Sequence, residues 1–240
     1  MTIVQHLEEL RRVITISGGA WLGAWLVLFA IPPVRGWLLT LLLRPITHVL
    51  SGRAFPFKAP IVTGVTETLT IPLELTAVAA CVLTLPVTLW QVWSFVAPGL
   101  RPVERRFAGP FVASALVLVV LGGAFAYFVM PLGLGFLATF LGGNATFVPD
   151  LGSYLTFFAV LVLVFGITFE LPIVIVMLGM LGIVSSRWLR NHRKVIICAI
   201  VGTSLVITPG ADPFTPTALA IPLIIFFELS ILVLDRVLHR

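Results

Sequence analysis

Apolar positions in this chain come in unbroken runs, not in the alternation of a half-buried strand or the one-sided stripe of a soluble helix. Residues 13–31 carry no charge and close on Pro32-Pro33, and residues 75–97 stop at Pro98-Gly99. Residues 107–130 end at Pro131, and residues 154–183 hold a single charge, Glu170. Two shorter runs follow, 195–207 and 217–234, around a Thr208-Pro209-Gly210 turn. In hydrocarbon every backbone amide must be satisfied internally, so each run predicts a membrane-spanning helix. The pattern predicts an all-α polytopic protein, a single bundle over residues 1–240 with six spans, the fifth and sixth short. Residues 34–50, apolar with Trp37 and flanking arginines, suit a helix lying in the interface of the first outer loop. Pro86, Pro172 and Pro222 fall inside runs and should bend their helices. The thirteen residues of the fifth run cover about 20 Å of a core about 30 Å thick, so that helix either borrows length from residues 188–194 by snorkelling or thins the bilayer.

Composition agrees with this reading and removes the soluble classes. The 240 residues are 59% hydrophobic and 10% charged, with a mean hydropathy of +1.14, against about 25% charged in soluble domains. A net charge of +5 invites a nucleic-acid partner, but its placement argues for topology instead. Eleven of the fifteen Lys and Arg fall at the N-terminus, in the second-to-third and fourth-to-fifth loops and in the tail; Arg35, Arg44, Arg53 and Lys58 share one loop opposite. The positive-inside rule then places both termini in the cytoplasm of a multi-pass inner-membrane protein. Cys81 and Cys198 lie in apolar runs and read as small buried residues, not a disulfide or a metal site. Arg11-Arg12 before the first run could be an export signal of the chain itself; the run is too long and lacks a cleavage site, which favours a permanent anchor.

The few acids carry the candidate chemistry. Glu8 and Glu9 stand in HLEELRR, where a helical reading pairs Glu8 with Arg12. Glu104 stands in SFVAPGLRPVERR among Arg101, Arg105 and Arg106, two residues after a proline suited to a first helical turn. Glu170, in VFGITFELP, lies mid-span, where a charge costs roughly 2.5–3.5 kcal/mol. It could be protonated, or bonded to Gln91 or to backbone freed by Pro172; at that depth function or a wet cavity is the default. Asp212 in TPGADP fits an Asx-type turn, and Glu228 a structural, snorkelling role.

Taken together and in order, HLEELRR, VTETLTIPLEL, LWQVW, FVAPGLRPVERR, AYFVMPL, FGITFELP, SSRWLRNHRK and TPGADPFTPTALAIPL resemble the TatC family, the multi-span core of the twin-arginine protein translocase. The likeness covers nearly the whole chain. It implies a receptor for export signals with paired arginines, working with TatA- and TatB-like single-span subunits to move folded proteins on the proton-motive force. It also implies a homo-oligomer within a larger complex, surrounded by lipid, and no cofactor or metal. The family's signal-binding glutamates fall on Glu9 and Glu104, supported by Leu10, Arg11, Phe95, Pro98, Leu100 and Arg105. Its intramembrane glutamate falls on Glu170, with Gln91 as a polar neighbour, and its outer-loop aspartate on Asp212. The chain departs from the family at Gly210-Ala211, which lengthen the turn, at Pro216 in place of a glutamine, and at Glu74, where lysine is commoner.

Two other classes compete on the residues alone. A secondary transporter or proton-coupled channel would use Glu170, but the chain shows no inverted repeat. An intramembrane enzyme would need a base at membrane depth, and His6, His48, His192 and His239 all lie outside the runs.

Overall fold

The computed structural model describes residues 3–51, 59–99, 108–140, 148–208 and 212–236. They form nine α-helices: α1 (Ile3–Ala30), α2 (Pro32–Ser51), α3 (Glu67–Val96), α4 (Ala108–Phe140), α5 (Leu151–Phe169), α6 (Leu171–Met180), α7 (Ser186–Asn191), α8 (Arg193–Ile207) and α9 (Phe214–Arg236), with a 3-10 turn at Ala97–Gly99. The only β pairing among the described residues is an isolated parallel bridge between Ile61 and Asp150. Five stretches are long and apolar enough to cross a membrane: Leu7–Ala30, Glu67–Gly99, Gly109–Phe140, Leu151–Met180 and Phe214–Arg236. The fifth apolar run of the sequence becomes α8, whose 15 residues reach only about 22 Å.

The core forms where α4 and α5 cross, closed by α9 and α2. Phe165, Leu161, Ala126, Met130, Leu219 and Ile46 are essentially fully buried there. At the tightest point a Cβ on Gly122 would stand 2.7 Å from the Phe165 carbonyl oxygen. Only glycine lets the two backbones approach that closely.

Prolines shape the bundle, and not always as terminators. Pro131 does not end the third span: α4 runs through it to Phe140. A membrane helix can keep an internal proline when its surroundings absorb the missing bond. Pro172 does break the fourth run. It has no N–H for the turn before it, so α5 ends at Phe169 and α6 restarts at Leu171. Pro45, inside α2, frees the Leu41 carbonyl, and Tyr127 of α4 donates its hydroxyl to that oxygen at 3.2 Å. Tyr154 of α5 donates to the next carbonyl, Leu42, at 2.6 Å. The two tyrosines fix α2 across one end of the bundle.

α1 stands apart. Its indoles donate to α3 backbone oxygens, Trp21 to Ala77 at 3.0 Å and Trp25 to Leu73 at 3.1 Å, and the two rings stack on each other. This antiparallel register puts the start of α1 and the end of α3 at the end of the bundle away from α2. Glu8 and Arg12 do not form the expected ion pair among the described residues; both side chains are exposed. Cys81 is half-buried, but Cys198 is exposed, not buried, because α8 packs mainly on α9 and leaves its other faces uncovered.

Candidate functional site

Of the residues singled out at the signal-binding end, Glu9, Leu10 and Arg11 lie on the early turns of α1, Glu9 partly exposed and the other two exposed. Phe95 and Pro98, both half-buried, lie at the end of α3 and in the turn after it. The antiparallel pairing of α1 and α3 brings these two groups to the same end. Glu9 forms no ion pair among the described residues. Leu100, Glu104 and Arg105 lie outside the described residues.

Glu170 sits at the α5–α6 break as the residue between the two helices, with φ −76° and ψ −12°. Its Oε1 is buried and has no hydrogen-bond partner among the described residues. It bonds neither to Gln91 nor to backbone released by Pro172. Its side chain reaches a cavity of about 640 Å³ between α2, α3, α4 and α5, which Gln91 does not line. The same cavity reaches Glu74 on α3, a residue to which sequence reasoning gave no role. Glu74 Oε2 accepts the Thr156 hydroxyl at 3.2 Å, so α3 and α5, which both run away from the α2 end, are level at these residues. Glu170 follows Thr156 by fourteen positions, which puts it about 21 Å deeper than Glu74. Between the two carboxyls the wall is almost wholly apolar and includes small residues such as Gly123, Ala159 and Gly166.

Asp212 is a different kind of acid. It is 4% exposed and caps α9: Oδ1 accepts from Phe214 N at 2.9 Å and Thr215 N at 2.7 Å, and Oδ2 from the Thr215 hydroxyl at 2.8 Å. Gly133 of α4 lies against this cap; a Cβ there would meet Thr215 Oγ1 at 2.9 Å and Asp212 Oδ2 at 3.2 Å. The Asx-type turn expected from TPGADP is thus present, as the cap of the last helix.

Two further polar groups were not foreseen. At the α2 end, Thr63 donates its hydroxyl to Asp150 at 2.7 Å and lies 3.3 Å from Glu67 Oε1, and Leu151 N donates to Ile61 O at 2.7 Å. Asp150 caps α5 by accepting from Ser153 N at 2.8 Å. That backbone donor, with Thr63, holds its carboxyl below the ordinary aspartate value. At the other end, Arg190 meets Asp235 at 2.6 Å, and Arg193 Nε stands 2.6 Å from Glu228 Oε1 in a contact without hydrogen-bond alignment. A signal existed: Glu228 and Asp235 are seven apart on one helix face, and Arg190 and Arg193 three apart. Glu228 is therefore anchored by another helix instead of snorkelling alone. Among the described residues no group of three or more His, Cys, Asp or Glu could hold a metal ion.

Comparison with known proteins places this architecture. The family model described as Sec-independent protein translocase protein (TatC) matches residues 5–222. A relative of that name from Azotobacter chroococcum mcd 1 is 37% identical over all of this chain and 91% of its own length. One from Carboxydothermus hydrogenoformans is 34% identical over 97% of this chain and 92% of its own. The relative from Frankia casuarinae is 35% identical over 97% of this chain, which spans only 65% of that protein; the match to the Halothiobacillus neapolitanus relative spans 60% of its length. A solved structure titled as the twin arginine translocase receptor TatC superposes with a TM-score of 0.79 at 32% identity, covering 98% of this chain and 100% of that one. A second, of the same receptor in DDM, gives 0.79 at 33% identity over 95% and 99%. With the family model matched over most of its length and the helices superposing, the chain belongs to the TatC family.

Proposed function

We propose that this chain is the receptor and assembly core of a twin-arginine translocase. It crosses a prokaryotic inner membrane six times, both termini in the cytoplasm, and its α2 lies in the opposite interface. It binds the paired arginines of export signals at its cytoplasmic rim. With TatA- and TatB-like subunits it passes folded clients across on the proton-motive force. The carrying observation is Glu9: a partly exposed carboxyl near the start of α1, without an ion pair among the described residues, in a chain of this family. Glu104 supplies the second carboxyl. An arginine guanidinium offers two parallel donors to a carboxylate, a geometry that a lysine ammonium cannot match. Each pair contributes about 0–1 kcal/mol if fully exposed, and more where the rim excludes water. Discrimination of Arg-Arg from Lys-Lys thus comes from fork geometry at two sites at once.

The test is binding of a soluble signal peptide to the chain in nanodiscs, with Arg-Arg and Lys-Lys versions side by side. Glu9→Gln and Glu104→Gln should each weaken the Arg-Arg peptide about five- to tenfold and leave the Lys-Lys peptide nearly unchanged. Equal affinity for the two peptides on the wild-type chain refutes the receptor reading.

A second reading, ion-coupled transport, draws on the unpartnered oxygen of Glu170. Among the described residues no carboxyl, histidine or lysine lines the cavity between Glu74 and Glu170, which leaves a proton no carboxylate or imidazole relay among them. Proton flux through liposomes holding this chain alone would favour it.

A further inference from the structure

Arg187, Arg190, Arg193 and Lys194 crowd the stretch that leads from α7 into α8. Two of these cations are engaged within the fold, Arg190 by Asp235 and Arg193 by Glu228, both on α9. Arg187 and Lys194 are exposed and form no ion pair among the described residues. Helical bonding carries almost unbroken across the junction: His192 N donates to Trp188 O at 3.1 Å, and Ile196 N to His192 O at 3.0 Å. At about 100° per residue, Asn191 then lies about 40° from Arg187, and Lys194 about 20° from it on the other side. The two unpaired cations therefore share one face, about 10 Å apart along the axis, turned from the side that carries Arg193 to α9. The same face continues along α8 as a bare apolar strip of Cys198, Val201 and Leu205, with Cys198 exposed and Leu205 63% exposed. Beside the cations Trp188, half exposed, stacks on His192 with ring centroids 4.5 Å apart. An exposed tryptophan at the end of a membrane helix marks the headgroup level, and this one lies between Arg187 and Lys194 in the chain. The 15 residues of α8 fall short of the hydrocarbon thickness, which draws that level inward onto Lys194.

We propose that this face binds an anionic phospholipid, its phosphate held between Arg187 and Lys194 and its acyl chains laid along Cys198, Val201 and Leu205. The arginine fork offers paired donors to phosphate oxygens, and the lysine ammonium adds a point charge. Asn191, between them, supplies a neutral amide. The occupant is an amphiphile, because cations and apolar strip are continuous on one helix face. A free phosphate or a soluble acidic peptide leaves the strip uncovered, and a zwitterionic lipid brings no net charge to the two cations. A membrane helix with an acidic flank could meet both, but at headgroup level phosphate is already the abundant anion. Basic side chains at that level attract anionic lipid in general. Here α9 neutralises the other two cations, so the attraction is concentrated on one face.

The experiment places the full chain in phosphatidylcholine nanodiscs with a minor fraction of a photoreactive lipid. The probe carries either a phosphatidylglycerol or a phosphatidylcholine headgroup on the same photoreactive tails, and labelled peptides are mapped by mass spectrometry. The phosphatidylglycerol probe should label residues 195–207 about fivefold more than its choline counterpart. The double variant Arg187→Gln, Lys194→Gln should bring that ratio to about one, whereas Arg35→Gln, Arg44→Gln, which removes as much charge at the α2 end, should leave it unchanged. Thermal melting of both variants confirms that they fold. Equal labelling by the two lipids overturns the proposal, as does a preference that survives loss of Arg187 and Lys194. An equal fall in the α2-end variant reduces the effect to net charge and overturns it too. So does displacement of the probe by soluble glycerol phosphate as effective as that by short-chain phosphatidylglycerol, or a leucine–alanine helix with an acidic flank that displaces the probe and labels the same segment more strongly. No signal peptide is present in these assemblies, so neither result bears on the Arg-Arg preference tested above.

Discussion

Asp212 and Glu170 are both acids withdrawn from solvent, and their surroundings could hardly differ more. Asp212 is met by three donors at 2.7–2.9 Å and starts a helix. Glu170 marks a helix break, and its buried Oε1 meets none among the described residues. The first is a structural group whose bonding capacity the fold has largely used. The second leaves an open acceptor that the described residues do not fill. Asp212 is buried and Glu170 half-buried, yet the donors around them separate the two more sharply than burial does.

Several substitutions test that contrast. Asp212→Ala should have the largest effect, because it orphans the buried N–H and hydroxyl of Thr215 and the half-buried N–H of Phe214 at the head of α9. A loss of about 2–3 kcal/mol is expected, seen as a lower melting midpoint of the purified chain in detergent. Gly133→Ala presses on the same cap from α4 and should cost about 1–2 kcal/mol. If Gly133→Ala melts like wild type, Asp212 is not as tightly held as its distances indicate. Glu170→Leu should go the other way and stabilise the chain by about 1 kcal/mol, since a buried oxygen unpaired among the described residues is removed. A loss of stability there would mean that the carboxyl already has a partner. The smallest effect belongs to Asp150, exposed and held by Ser153 and Thr63. Its folded pKa is depressed, so its contribution is complete above the unfolded value and disappears as pH falls through the lower folded one. Asp150→Asn should therefore flatten the decline of the melting midpoint as pH falls below the ordinary aspartate range, with little change at neutral pH.

The sequence was most legible where one force acts alone. Lipid demands long apolar helices, and five of the runs could be read from residues 13–31, 75–97, 107–130, 154–183 and 217–234. Their ends were harder to read. α3 begins at Glu67, where acids and threonines hide the helix from a hydropathy argument, and Pro131 lies inside α4. Whether a proline ends, bends or merely interrupts a helix depends on what stands beside the carbonyl it frees. At Pro45 that is the hydroxyl of Tyr127, 86 residues away, which no local pattern announces. For the candidate site, Glu170 was readable as an acid out of place, whereas Glu9 and Asp212 had ordinary helical and turn readings and were singled out by the family resemblance. The Asp212 cap, made to Phe214 and Thr215, was legible as a local turn, but the pairing of Glu74 with Thr156 and the two ion pairs to α9 are made across helices and were not.

The indole bonds from Trp21 and Trp25 to α3 also set an order of events at birth. Trp21 and its acceptor Ala77 are 56 positions apart, so at ordinary elongation rates roughly 3 to 11 seconds separate their synthesis. For that interval the first helix has neither indole acceptor. The two helices become a joined pair only once the chain has turned back on itself.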